Sequence, residues 1–168
     1  MDRPSLYDDD IVTWAEEQAA ALRELGARGE LSNAVDWELV AEEIEGVGRA
    51  QIDAVDSALR LVLIHVLKYL SAPNAQSTAS WRSEVLTFGR AARKRYRPSM
   101  RQRIDWEDLW IAAVGEAASQ LQIFGDHIVT GLPRKMPFTP EELVSPDFTM
   151  DWALERLAAL LDTGTGHH

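Results

Sequence analysis

At 168 residues, with 46% hydrophobic and 26% charged residues, the chain is long enough to bury the core of one ordinary globular domain. Its longest apolar run, Leu59–Leu67, is broken by Arg60 and His65, which excludes a conventional membrane span, and the absence of cysteine excludes disulfides and thiol chemistry. The net charge of −10 is unevenly distributed: residues 1–60 hold 15 acids and 5 bases, residues 61–104 hold 1 acid and 9 bases, and residues 105–168 hold 11 acids and 3 bases.

The polar start MDRPSLYDDD does not read as a secretory signal, and with no cysteine the expected location is the cytoplasm. A first helix is predicted from the Asp8–Asp10 cluster, because carboxylates suit both an N-cap and the positive end of a helix. Ile11, Trp14, Ala15, Ala21, Leu22 and Leu25 form its apolar stripe, and Gly26 and Gly29 its stop. Asp36 can cap a second helix with the stripe Trp37, Val40, Ala41, Ile44 and Val47, its acids facing away. Gly46 and Gly48, each about 1 kcal/mol worse than alanine inside a helix, predict a kink or turn. Beyond them Ile52, Val55, Leu59, Val62, Leu63, Val66 and Leu70 run as one stripe, while Leu61, Ile64 and Leu67 cover other faces. A helix apolar around most of its circumference belongs in the middle of a bundle.

SAPNAQSTA, residues 71–79, reads as a loop. Trp81, Val85, Phe88 and Ala92 mark a further long helix ended by Pro98. Asp105 and Asp108 open the next, whose stripe of Trp110, Val114, Ala117, Leu121, Phe124 and Ile128 should continue to a stop at Gly131 and Pro133. Thr139-Pro140-Glu141-Glu142 combines a capping box with proline at the first helical position. Asp151 is the expected cap of a last helix through Leu161, followed by a flexible tail TGTGHH. With no β-alternation and no hairpin dipeptide, the expected fold is all-α: a single-domain bundle of four to five long helices with short C-terminal helices. Residues 1–148 are expected to form the bundle domain and residues 149–168 a C-terminal extension.

The segments LYDDD, EQAAALR, DWELVAEEIEGVGR, LIHVLK, SWRSEV and PFTPEELVSPDF stand in this order across roughly Leu6–Phe148. Together they resemble a bacterial family catalogued as domain of unknown function 29. The resemblance implies a helical fold and carries no catalytic residues.

Several constellations bear on chemistry. Glu38, Glu42 and Glu45 share a helical face, and with His65 and His127 they would be the donors of a carboxylate–histidine metal site. Against it, the chain holds no Glu-x-x-His and no His-x-x-x-His pair. Gly48 and His65 are also separated by roughly 25 Å of helix. The expectation is no metal and no cofactor, with Glu42, Glu45, His65, Lys68 and His127 as the residues to inspect. His65 reads as a hydrogen-bonded histidine in a half-buried position. Lys68 should pack its stem and send its ammonium to water, and His127 should sit near a helix end, where a cation suits the dipole.

Arg82, Arg90, Arg93, Lys94, Arg95, Arg97, Arg101 and Arg103 make a basic block interleaved with Trp81, Phe88 and Tyr96. The preferred reading is neutralisation by the acidic flanks. Behind it come an anionic or acidic protein partner at Arg90, Arg93, Lys94, Arg95 and Arg97, and then nucleic acid along residues 82–103, which the overall negative charge disfavours. No nucleophile elbow, Walker sequence or dinucleotide loop occurs, so no catalytic residue is assigned. The chain thus reads as a non-enzymatic protein-interaction module, acting as a homo-oligomer or on a protein partner. A metal-binding or enzymatic bundle is the alternative. Trp37, Trp81, Trp106 and Trp152, at helix starts, would supply either aromatic surface for a partner or further core.

Overall fold

The computed structural model describes residues 5–164; the sequence readings that fall on residues 1–4 and on 165–168, most of the tail, lie outside the described residues. Among the described residues there is no strand, and the α-helices are α1 (Leu6–Asp9), α2 (Ile11–Ala27), α3 (Trp37–Ser71), α4 (Thr78–Arg95), α5 (Trp106–Ile123), α6 (Pro140–Leu143) and α7 (Met150–Gly164). A 3₁₀ turn at Pro98–Gln102 follows α4. The fold is all-α. The described residues divide into two compact units, residues 5–54 with 97–104, and residues 55–96 with 105–164.

Helix starts follow local chemistry. The Asp10 side chain accepts the Thr13 amide at the start of α2, and Asp36 accepts the Leu39 amide at the start of α3. Asp105 accepts the Asp108 amide, and Thr139 with Glu142 closes a full capping box. At α7 the expected cap moves: the Thr149 hydroxyl accepts the Trp152 amide, and Asp151 lies in the first turn instead. Helix α7 also runs past Leu161, taking Thr163 and Gly164 from the expected tail into the helix.

In the first unit the expected break at Gly46 and Gly48 does not occur, and α3 runs unbroken for 35 residues. The reason is packing. Gly48 is buried, and a Cβ there would lie at ordinary contact distance, 3.5 Å, from both the Ala15 Cβ and the Val12 Cα, so α2 packs directly against this stretch of α3. Contact between helices offsets the weak intrinsic propensity. The core of this unit is small, made of Val12, Ala15, Ala19, Ala41, Met100 and Ile104. Asp10 ties the 3₁₀ turn to α2 by accepting the Ser99 hydroxyl at 2.8 Å. Burial of Asp10 opposes its ionisation, yet the hydrogen bonds from Thr13 and Ser99 keep its pKa below the usual carboxylate value.

The second unit holds the main core. Val55, Leu59, Leu63, Ile64, Val66 and Leu67 of α3 are fully buried, as the all-round apolar pattern predicts. Around them pack Trp81, Val85 and Ala92 of α4, Leu109, Trp110, Ala117 and Leu121 of α5, and Ala153 and Leu157 of α7. Helix α5 ends earlier than expected, at Ile123. Gly125, at φ +77°, donates to Gln122 O, and the Asp126 amide donates to Leu121 O, which closes a Schellman motif before Ile128. Phe124, placed by the sequence on the buried stripe, is therefore turned out and 77% exposed.

Candidate functional site

Helix α3 carries two polar residues into the core of the second unit, His65 and Lys68, each less than a tenth exposed. They lie nearly one turn apart on one face, where α4 and α5 pack. The His65 Nε2 donates to the Glu84 carboxylate of α4, and its ring stacks on Phe88 with centroids 6.3 Å apart. The Nδ1 is buried without a hydrogen-bond partner among the described residues. This arrangement selects the neutral tautomer with its proton on Nε2, since a second proton on Nδ1 would be a buried donor with no acceptor. A catalytic base must offer its lone pair to a substrate; here that lone pair is sealed inside the protein.

Burial is the main influence on His65 and pushes its pKa below the usual 6.5; Glu84 pulls upward, and the Lys68 charge pushes down again. A group held below its unfolded value stabilises the fold above that value, and the contribution is lost as pH falls through the folded pKa. The window therefore opens at 6.5 and extends downward. Between about pH 7 and about pH 5, His65→Gln should show a shallower fall in its urea midpoint than the unsubstituted chain. A steeper or equal fall would mean that folding favours the charged imidazole.

Lys68 departs from expectation. Its ammonium does not reach water; it donates to Gln120 Oε1 of α5 at 3.0 Å and lies 5.0 Å from the Trp81 ring centroid. Burial lowers its pKa from 10.5, with Glu84 opposing. Glu84 thus accepts from the neutral His65 and offsets the Lys68 charge, and it is the single acid of the basic block, which was the signal available in the sequence. Gln120 had no such signal. Beside Lys68 lies a cavity of about 360 Å³ lined also by Ser77, Trp81, Leu121, Phe124 and Asp126.

The other sequence candidates are not brought together into one cluster. Glu45 and Glu38, read as facing away, turn toward α2, where the Arg23 guanidinium bonds both. Its hydrogen bond is the main cause holding the Glu45 carboxyl below its usual pKa. Glu42 is exposed. His127 is exposed in the segment after α5, outside any helix, because α5 stops at the Schellman motif. Among the described residues no three His, Asp or Glu side chains converge as a metal site.

The basic block is dispersed. Arg82 pairs with Asp151 at 2.9 Å and lies over the Tyr69 ring, both in the second unit. Arg103 pairs with Glu16, and Arg97 donates to Asp9 O, both in the first. Arg90, Lys94 and Arg95 are exposed on α4, and Arg93 is half-buried, with a guanidinium nitrogen 3.1 Å from where a Cβ on Gly89 would lie. The six tryptophans are not surface aromatics. Trp81 and Trp110 are buried and the rest half-buried, with Trp14 against Tyr7, Trp106 against Tyr96, and Trp152 against Phe138 and Phe148.

Fold and core define an all-helical protein in which no helix, among the described residues, is long and apolar enough to cross a membrane. Residues 6–149 match the family described as Domain of unknown function DUF29, and the chain belongs to that family. It is similar to an alpha-helical protein of unknown function from Rhodospirillum rubrum, whose crystal structure aligns with a TM-score of 0.84 at 33% sequence identity. That alignment covers 92% of this chain and 99% of the other. No curated protein matches the chain.

Proposed function

We propose that the protein is a non-enzymatic helical module that works by protein contact, and that the contact is self-association through the first unit. The observation that carries this reading is a row of large aliphatic side chains left in water. Leu25, Leu31, Val35, Leu39, Val40 and Val47 are all more than a third exposed, Leu39 by 51%. On α3, Val40, Ile44 and Val47 recur at helical spacing, beside the row Ala41, Glu45, Gly48 and Ile52. The latter row includes the buried Ala41 and Gly48 packed toward α2. The first unit therefore has one row packed internally and a neighbouring aliphatic row that is only partly covered, on top of a small core. Contiguous exposed apolar surface marks interaction sites, and symmetric self-pairing is the commonest way for a soluble chain to cover it.

On this reading residues 1–148 carry the function and residues 149–168 are an extension of the bundle; the family match, which stops at residue 149, supports that division. A bacterial cytoplasmic setting belongs to the same proposal. Sedimentation velocity across a concentration series tests it. The chain should form dimers at micromolar concentration, and Val40→Glu with Val47→Glu should leave a monomer with unchanged helicity, since both side chains are already exposed. A chain that sediments as a monomer throughout, or a double variant that still dimerises, would overturn the reading.

A further inference from the structure

The cavity beside Lys68 has a buried cation in its wall. An ammonium has three donors. One goes to Gln120 Oε1, and the charge rests on the Trp81 ring. Both partners are neutral, and the acid that relieves the charge, Glu84, is already engaged by His65. Lys68 thus keeps donor capacity and charge for a further acceptor. The start of α4 contributes in the same direction. Ser77 stands at its N-cap position without making the usual side-chain capping bond, and the first turn holds no acid.

The opposite requirement comes from Asp126, which the Schellman motif holds at the end of α5 and which lines the same cavity. A simple anion would meet its carboxylate, and a simple cation would meet Lys68. Of the rest of the lining, Trp81 and Leu121 are buried and Phe124 stands exposed at the rim, with Ala75 and the one further polar residue, Gln76, beside them. A volume of about 360 Å³ lies at the small end of the range for ligand pockets, about 300–1,000 Å³.

We propose that this cavity is a binding site for a small zwitterion with an apolar body, of the amino-acid class. The carboxylate sits on Lys68 and the Ser77 hydroxyl, the ammonium on Asp126, and the body against Trp81, Leu121 and Phe124. Such a ligand satisfies both charges at once and covers the ring that Phe124 exposes. The proposal stands on the second unit alone, so its failure and the failure of self-association are read separately.

Isothermal titration calorimetry on the full chain tests it, with a panel of apolar and aromatic amino acids as probes. Two half-analogues accompany L-phenylalanine: 3-phenylpropionate, which lacks the ammonium, and 2-phenylethylamine, which lacks the carboxylate. At least one zwitterion should bind saturably at about 1 mM or tighter, and for L-phenylalanine's series the zwitterion should bind about tenfold tighter than either half. Lys68→Met should abolish binding. Asp126→Asn, at a half-exposed position, should fold and should bring L-phenylalanine and 3-phenylpropionate to similar affinity. Where circular dichroism shows Lys68→Met unfolded, the Asp126→Asn comparison decides. The proposal is overturned by a panel with no binding tighter than about 10 mM, by half-analogues that match the zwitterion, or by an Asp126→Asn chain with unaltered preference.

Discussion

Val66→Asp should yield a chain that fails to fold, seen as loss of helical circular dichroism and of a cooperative melt at all temperatures. Val66 is fully buried in the second unit, and its neighbours Leu63, Ile64 and Leu67 along α3 are buried as completely. The helix has no face there through which an aspartate could reach water. Breaking a buried ion pair already costs about 3–5 kcal/mol, and an isolated carboxylate among apolar side chains costs far more, enough to exceed the total stability of about 5–15 kcal/mol of a typical domain. His65 and Lys68 do not soften this, because one and two positions along α3 place them about 100° and about 200° round the helix from residue 66. Leu63→Asp should behave alike. A soluble Val66→Asp variant with a native melt would show α3 to be peripheral and the described core to be wrong.

Trp110→Ala should fold but melt at a markedly lower temperature. The indole is 1% exposed; its N–H donates to Pro133 O at 2.9 Å, and its ring meets Phe138 edge to face at 6.5 Å. Removing it leaves a large void and an unpaired carbonyl, for about 3–5 kcal/mol in comparable core truncations. In a chain of this size that corresponds to a fall of about 6–20 °C in Tm. Differential scanning fluorimetry gives the result directly. Trp110→Phe, which keeps most of the volume but loses the hydrogen bond, should recover most of the loss. A shift of only about 1 °C for the alanine variant would mean that α5 and the segment after it are loosely joined.

How much of this was legible in the sequence depended on the reach of each interaction. Asp10, Asp36, Asp105 and Thr139 cap helices through amides three residues ahead, so the residues that decide are contiguous and the prediction needs no fold. The buried stretch from Val55 to Leu67 was equally plain, because a helix apolar on all sides has only one environment open to it. Glycine was misread at Gly46 and Gly48 for the opposite reason. Its cost is local, but what offsets that cost at Gly48 is packing against Val12 and Ala15 of another helix. At Gly125 the stop came earlier than the apolar stripe suggested, since a left-handed residue ends a helix whatever apolar residues follow it.

Composition, periodicity and caps by themselves determined the helical class, most of the helix starts and the burial of central α3. Each rests on neighbours along the chain, and the order of motifs pointed to the family. Only the tertiary structure decided what the polar residues do. It turned Glu38 and Glu45 toward Arg23, set His65 against Glu84, enclosed Lys68 between Gln120 and Trp81 beside a cavity, and left Val40 and Val47 in water. Those outcomes depend on which helices lie beside one another. Hydrogen bonds and ion pairs act over a few ångströms of space, and no count along the sequence measures that distance.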